Sequence, residues 1–512
     1  MSDARPASSR DIIAATTPPV DPTGVANLDL VLGGGLPRGA LTLFVGPPGS
    51  GKTTLACQIA FAAAHAGRRV LLLTALSEPA SKLIAHMRTL AFFDEALIGG
   101  QVRVLSLGHF LAQGWADTAE AVVTLSREER ASLVVLDGFR GVGDAEANPQ
   151  QARQFLYDVG TTLALAETTT LITCEADLHD PSFYPEGTTA DAIIGLHARR
   201  DDVRQRRGLE VVKVRGAAPL PGLHSLTLGP EGGVVYPRLE ARVTRAAWRE
   251  DADDAGGAGD GPEGRARFDL PEFDALLGGG LTRGTPTLVV GSPGTGKTLL
   301  ALHFVLAGAR AGEPALFLGF HETRAQLMRK ADAFALGPEL RAALAPGGAL
   351  TLLRRPPVEL DPDVLADELL AALDRTGARR LVVDSVAAVE RAVAEAGDAR
   401  RVPNYLAALV EALQERAVTT LLIKESPTLA AAALDLPADL ISVVAANVVW
   451  LQQVADRGRL RRVLSVPKMR YSAHDDALRA FTIAAPAGIR VLAPVAAIPV
   501  DADPLGPGRE TP

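Results

Sequence analysis

The sequence is poor in several residue types that would suggest particular functions. Only two cysteines occur, Cys57 and Cys174, each inside an apolar stretch. Two such thiols support neither a disulfide framework nor a zinc site and read as small buried hydrophobes. Aromatic residues make up 4% of the chain, with no helix-turn-helix or zinc-finger pattern beside them, which argues against a nucleic-acid reader. Basic charge is outnumbered as well: 52 Lys and Arg face 60 Asp and Glu, a formal net charge of −8. Such a chain has no general attraction to phosphate backbones or anionic membranes. No apolar run approaches the roughly 20 residues of a membrane span. Met1 to Val20 contain Arg5 and Arg10 but no apolar core like that of a signal peptide. The expectation is a soluble cytoplasmic protein with neither membrane nor nucleic acid as partner.

What is present is a folded composition, 47% hydrophobic and 22% charged. A length of 512 residues exceeds one hydrophobic core and fits two domains. Self-similarity supports that division. Residues 28–56 read LDLVLGGGLPRGALTLFVGPPGSGKTTLA and residues 273–301 read FDALLGGGLTRGTPTLVVGSPGTGKTLLA, agreeing without a gap at 19 of 29 positions. A 245-residue offset between Lys52 and Lys297 means two copies of a whole domain rather than a solenoid. Between the copies, Arg249 to Arg267 reads REDADDAGGAGDGPEGRAR, which has the composition of a flexible linker. The predicted organisation is a disordered segment 1–15, a first domain 16–245, an acidic Gly-rich linker 246–266, a second domain 267–498 and a disordered tail 499–512.

Within each copy, short aliphatic runs alternate with longer helical patterns. Leu41–Val45, Val70–Leu73 and Leu133–Leu136 recur as Thr287–Val290, Ala315–Leu318 and Leu381–Val383. The alternation predicts an α/β fold, a mainly parallel sheet flanked by helices in each domain.

The segments Gly46-Pro-Pro-Gly-Ser-Gly-Lys-Thr53 and Gly291-Ser-Pro-Gly-Thr-Gly-Lys-Thr298 each follow an aliphatic strand and precede a helical pattern. That is the context in which GxxxxGK[ST] forms a phosphate-binding loop. The glycines let successive backbone N–H groups approach a β-phosphate, and the helix N-terminus adds its dipole. The candidate nucleotide-binding residues are Gly46, Gly49, Ser50, Gly51, Lys52, Thr53 and Thr54, with Gly291, Gly294, Thr295, Gly296, Lys297, Thr298 and Leu299 in the second copy. Lys52 and Lys297 would reach the β- and γ-oxygens, and the Thr53 and Thr298 hydroxyls would serve Mg2+. A carboxylate should complete the Mg2+ shell from a neighbouring strand end. Asp137, in Leu133-Val-Val-Leu-Asp137, and Asp384, in Leu381-Val-Val-Asp384, lie 85 and 87 residues beyond the two lysines and fill that role. ATP and Mg2+ are therefore the expected ligands of both copies.

An acid with a triple-glycine turn ahead of each loop, Asp29 with Gly33–Gly35 and Asp274 with Gly278–Gly280, makes the chain resemble the KaiC family of tandem RecA-like ATPases. The resemblance covers nearly the whole chain and extends to Glu322-Thr-Arg-Ala-Gln-Leu327, Lys468-Met-Arg470 and Lys213-Val-Arg-Gly216. It implies a homo-oligomer, a hexameric double ring with ATP at subunit interfaces. Lys213 and Arg215, or Lys468 and Arg470, would then approach the nucleotide of the adjacent subunit, where a cation supplied in trans stabilises charge on the transferring phosphoryl group. An exposed basic turn is the alternative for these four. The family carries two adjacent glutamates after the second strand, one acting as general base. This sequence reads Ser77-Glu78 and His321-Glu322, leaving Glu78 and Glu322 as the bases if one residue is inserted so that Leu83 and Leu327 coincide.

A lone carboxylate lacks the like-charged neighbour that would raise its pKa, so the expected hydrolysis is slow, slowest in the first domain. The family also phosphorylates itself on an adjacent Ser-Thr pair. Here Ser442 is followed by Val443, which excludes a two-site cycle on that pair and leaves Ser442 as a single-site candidate or a serine on a strand edge. The stretch from Val491 to Pro512 has no clear counterpart of the family's partner-binding segment. The expected function is an ATP-driven oligomeric switch acting on an unknown signalling protein. The rival is a RecA/RadA-like DNA-dependent ATPase, whose closest sequence support is the basic run Arg199 to Arg207, itself readable as a solvated hairpin.

Overall fold

The computed structural model describes residues 19–74, 80–107, 114–139, 149–178, 188–201, 204–244, 264–397, 399–426, 445–456 and 459–494. The chain divides into two compact units, 1–242 and 243–512.

In the first unit one nine-stranded sheet is built, among the described residues, from β1 (Leu41–Val45), β2 (Val70–Thr74), β3 (Val102–Ser106), β4 (Leu133–Asp137), β5 (Thr169–Cys174), β6 (Ala192–Asp201), β7 (Arg204–Val214), β8 (His224–Gly229) and β9 (Gly232–Tyr236). Their spatial order is β9-β8-β7-β6-β1-β5-β4-β2-β3. The six strands from β6 to β3 run parallel. Beyond β6, strands β7, β8 and β9 pair antiparallel. Every residue of β1, β2 and β4 is buried, as a parallel sheet covered on both faces demands, and this is why those strands read as unbroken aliphatic runs. Each buried Leu, Val or Phe contributes about 1.5–3 kcal/mol of transfer free energy. Both cysteines are buried and neither is in a disulfide.

The second unit repeats this plan with β10 (Pro286–Gly291), β11 (Ala315–Gly319), β12 (Leu350–Arg354), β13 (Arg380–Asp384), β14 (Thr419–Glu425), β15 (Asn447–Asp456), β16 (Arg459–Met469), β17 (Arg479–Ala484) and β18 (Gly488–Pro494). The order β18-β17-β16-β15-β10-β14-β13-β11-β12 is the first with nine added to each label. The expected α/β fold, two tandem RecA-like units with mainly parallel sheets, is the fold observed.

In each unit the central strand hands the chain to a helix, α1 (Lys52–His65) and α2 (Lys297–Arg310). Ten residues of α1 and eleven of α2 are buried, because the sheet covers one side and the antiparallel hairpin curls over the other. At Gly233 of β9, a side chain would meet Leu55 of α1 at 2.4 Å. The acids before the triple-glycine turns act locally. Asp29 Oδ1 accepts from the Thr23 N–H at 2.9 Å, and Asp274 accepts from the N–H groups of Phe268 and Leu270 at 2.8 and 3.2 Å. These two acids tie down the entering chain. Burial raises the Asp274 carboxyl above its ordinary value, although the backbone donors partly offset it. In parallel α/β sheets the carboxyl ends of the strands are where ligands bind, and both α1 and α2 start at that edge.

Candidate functional site

The two loops leave β1 and β10 with the same geometry. Gly51 and Gly296 cap the helices at φ 104° and 89°, a region side-chain-bearing residues rarely adopt. A Cβ there would also lie 2.8 Å from Leu228 and 2.4 Å from Ile483. Lys52 Nζ donates to the Gly46 and Pro47 carbonyls at 2.8 and 2.9 Å, and Lys297 Nζ to those of Gly291 and Ser292 at the same distances. Burial lowers the pKa of both ammoniums, partly offset by Glu175 and Asp137 for Lys52 and by Glu425 and Asp384 for Lys297. Ser50 Oγ is buried without a hydrogen-bond partner, whereas Thr295, at the matching position, donates to the Ser292 carbonyl at 2.8 Å.

The threonine ending each motif meets the aspartate ending the neighbouring strand. Thr53 Oγ1 is 3.0 and 3.1 Å from the two carboxylate oxygens of Asp137, and Thr298 donates to Asp384 at 2.8 Å. A hydroxyl beside a carboxylate at the mouth of a phosphate loop is an oxygen donor set suited to a hard cation that keeps waters and shares substrate phosphates. No group of three or more His, Cys, Asp or Glu side chains arranged for a metal occurs among the described residues; Mg2+ on this pair would complete its shell with phosphate and water. Burial raises the Asp384 carboxyl and Glu322 adds to the shift, while Thr298, Lys330 and Lys297 oppose it.

In the second domain these groups open onto a cavity of about 720 Å3 that also contains His321, Glu322, Lys330, Glu425 and Arg462. Glu322 is paired with Lys330. Glu425 Oε1 stands 3.8 Å from Lys297 Nζ. In the first domain Ser77 and Glu78 lie outside the described residues, as do Ser442 and Val443 in the second. A cavity of about 760 Å3 opens instead beside Gly46–Pro48, with Glu175, Asp177 and a His197–Glu210 pair at 2.8 Å on its walls. Leu83 and Leu327, the residues that set the repeat alignment after the second strand, are both buried.

The expected trans cations sit elsewhere. Lys213 and Lys468 hold equivalent places: their Nζ atoms donate to the Ala190 carbonyl at 2.6 Å and the Ala445 carbonyl at 2.8 Å. Ala190 precedes the start of β6 and Ala445 the start of β15. Both strands run parallel to the loop-bearing strand, so these lysines point to the sheet edge opposite their own domain's phosphate loop. Burial and the neighbouring Arg215 or Arg470 lower their pKa values. Arg215 and Arg470 are exposed.

Two arginines reach the loops: Arg207, which the sequence offered only as the end of a basic run, and Arg462, which it did not single out. Arg207 Nε donates to the Gly49 carbonyl at 3.0 Å and Arg462 Nε to the Gly294 carbonyl at 3.3 Å. They share the 255-residue offset that relates Lys213 to Lys468 and Arg215 to Arg470, a signal that could have found them.

Comparison with known proteins agrees with the duplication of the domain. A family model described as the ATPase KaiC matches residues 21–240 and again residues 267–496. The chain is 25% identical over 475 residues to the circadian clock oscillator protein KaiC of Picosynechococcus sp., covering 90% of this chain and 87% of that one. It is 26% identical over 480 residues to the circadian clock protein KaiC3 of Synechocystis sp., covering 90% and 89%. Against the KaiC of Parathermosynechococcus lividus it is 24% identical over 484 residues, covering 92% and 85%. No helix among the described residues is long and apolar enough to cross a membrane.

Proposed function

The chain belongs to the KaiC ATPase family, and on that premise we propose that each domain binds one ATP with Mg2+ and that the two sites turn over at different, slow rates. The observation that supports this most is the repeated constellation of lysine on its loop, threonine at the helix start and aspartate at the neighbouring strand end, at Lys52, Thr53 and Asp137 and again at Lys297, Thr298 and Asp384. Bound Mg2+ would neutralise phosphate charge from the Thr–Asp pair. In the second domain Glu322 takes a proton from water as the water oxygen bonds the γ-phosphorus. The bond to the β–γ bridging oxygen breaks and its electron pair leaves with ADP. Glu78 has the same assignment in the first domain.

Lys213, Arg215, Lys468 and Arg470 are proposed to act on the nucleotide of a neighbouring subunit in a ring, hexameric by analogy with the family. Their support is directional: Lys213 and Lys468 are held at the edge away from their own loops. Nucleotide state then changes the assembly or its affinity for a signalling protein, and Ser442 is the one position proposed for autophosphorylation. Size-exclusion chromatography with light scattering in the apo, ATP and ADP states tests the arrangement. An ATP-bound ring is expected; a monomer in every state would remove the trans cations and the switch together.

A further inference from the structure

The second cavity contains a cation that the proposed function leaves unassigned. Lys330 lies on the helix Arg324–Ala333, seven residues into it, and its side chain runs back to Glu322 just ahead of the helix. Two features make that reach favourable. Side chains on a helix lean toward its N-terminus. The start of this helix is also fixed by a capping box, in which Thr323 accepts from the Gln326 N–H while Gln326 accepts from the Thr323 N–H at 2.7 Å. Glu322 is thus anchored through its neighbour, and Lys330 approaches from two turns along. The other Glu322 oxygen, Oε2, is buried without a hydrogen-bond partner. Both residues line the same cavity as Lys297, Thr298 and Asp384.

A carboxylate in this position faces two difficulties. It stands within electrostatic reach of Asp384, and it lines the cavity proposed to receive a triphosphate. Like charges at such distances in a partly desolvated site cost several-fold to many-fold in affinity. A fixed cation on one oxygen removes most of the repulsion and leaves the second oxygen free to take a hydrogen bond from water. In the repeat alignment that pairs Glu78 with Glu322, the residue matching Lys330 is His86, which is exposed. The first domain therefore has neither lysine nor arginine at this position.

We propose that Lys330 is a positioning residue of the second site: its ammonium pairs with Glu322, holding that carboxylate in place and neutralising it beside the nucleotide. The inference rests on the reading of the cavity as an ATP site. The role of Glu322 as base is a separate question, and the two are measured separately.

The test is a double-mutant cycle in the full chain carrying Lys52→Ala, so that only the second domain binds. Equilibrium binding of a non-hydrolysable ATP analogue with Mg2+ is measured for the parent, Glu322→Gln, Lys330→Met and the double variant. Lys330→Met is expected to weaken binding about tenfold while Glu322 is present, and less than about threefold in the Glu322→Gln background, because coupling between contacting charges is non-additive. Lys330→Arg should restore binding to within about threefold of the parent, since it keeps the charge. An equal loss in the parent and Glu322→Gln backgrounds, with both variants folded by thermal melting, overturns the proposal, since Lys330 would then act on the nucleotide directly. Turnover of Glu322→Gln is read in the same proteins. If it is unchanged, the assignment of Glu322 as base fails, and the binding cycle still decides the role of Lys330.

Discussion

Asp137 in the first domain accepts from Thr53 through both oxygens and from Thr173 at 2.6 Å. Asp384 in the second accepts from Thr298 and otherwise sits in the field of Glu322, Lys330 and Lys297. Ile423 occupies the strand position that Thr173 holds in the first copy. The same acid on the same strand end is therefore held by two threonine hydroxyls in one domain and by one in the other, where Glu322 and Lys330 also lie in its field. Hydroxyl contacts set position with little sensitivity to what binds nearby, whereas charges respond to an arriving polyanion. The comparison indicates that the second domain is the more responsive site, and substitutions on either side of it can challenge that contrast.

The largest effects should come from the loop lysines. Hydrogen bonds from a charged donor contribute about 1.5–3 kcal/mol, or 10- to 100-fold in affinity. Lys52→Ala and Lys297→Ala should each abolish one of two bound nucleotides, counted by equilibrium binding. Steady-state hydrolysis should fall about tenfold or more in Lys297→Ala and less than about threefold in Lys52→Ala, on the same charge-assisted contact at sites of unequal turnover. Equal residual rates would end the idea of divided labour.

How much of this could be read without the fold depends on how local each signal is. The duplication, the loops and the strand-end aspartates are legible because consecutive residues carry them: glycines that need positive φ, aliphatic runs buried on both faces, a lysine and threonine in fixed register. Arg207 and Arg462 show in the sequence only as a repeated pair, and their contact with the loops does not, because antiparallel strands deliver them from residues 158 and 168 positions away. Glu425 meets Lys297 only because β14 lies beside β10. Lys330 reads as one more charge on a polar helix until that helix is seen to begin just after Glu322. Lys213 and Lys468, proposed as trans cations, are legible as a repeated motif, and the direction they point needed the parallel register of β6 and β15.

Helix-capping glycines test whether the two loops tolerate equal insult. Alanine at positive φ costs about 1 kcal/mol through the backbone alone. At Gly296 the new methyl would also sit 2.4 Å from Ile483 Cδ1, against 2.8 Å from Leu228 at Gly51. Gly296→Ala should therefore lower nucleotide affinity in its domain about tenfold, and Gly51→Ala by a smaller factor, because Leu228 has less distance to yield. Reversal of that order, measured in single-site backgrounds, would show that the loop tips are not equivalent.

Removing Thr173 asks whether its hydroxyl is what distinguishes the first site. Thr173→Val deletes the bond to Asp137 and the acceptor for the Gly138 N–H at 2.8 Å. Losing one such bond costs about 1 kcal/mol net, which should raise the Mg2+ concentration for half-maximal ATP binding in the first domain about threefold to fivefold. Ile423→Thr should not produce the mirror-image gain, because Asp384 also lies in the field of Glu322 and Lys330. A gain equal to the loss would mean that the hydroxyl, not the charge environment, is the difference between the sites.

The smallest expected effect concerns the helices that follow the loops. Gln58 of α1 bonds edge strand β9 on both sides, accepting from the Gly233 N–H at 2.8 Å and donating to its carbonyl at 3.3 Å. The matching residue of α2, 245 positions on, is His303, whose Nε2 is buried without a hydrogen-bond partner 3.5 Å from where a Gly488 side chain would begin. Burial first, then Arg310, depresses the His303 pKa from its ordinary 6.5 to about 4, with Asp269 opposing. A folded value below the unfolded one means that the unfolded chain takes the proton first as pH falls. The stability from keeping this ring neutral is thus complete above the ordinary value and is lost progressively from about pH 6.5 down toward 4. Between pH 7.5 and 6 the loss should be about 0.8 kcal/mol, by linkage of that single group. Hydrogen-exchange protection of α2 relative to α1, corrected for intrinsic exchange, should fall over this interval in the parent protein and hold level in His303→Gln, which substitutes the side chain that α1 already uses. If both proteins lose protection equally, His303 is not the source of any acid sensitivity in the second domain, and the difference between the two helices has no consequence for stability.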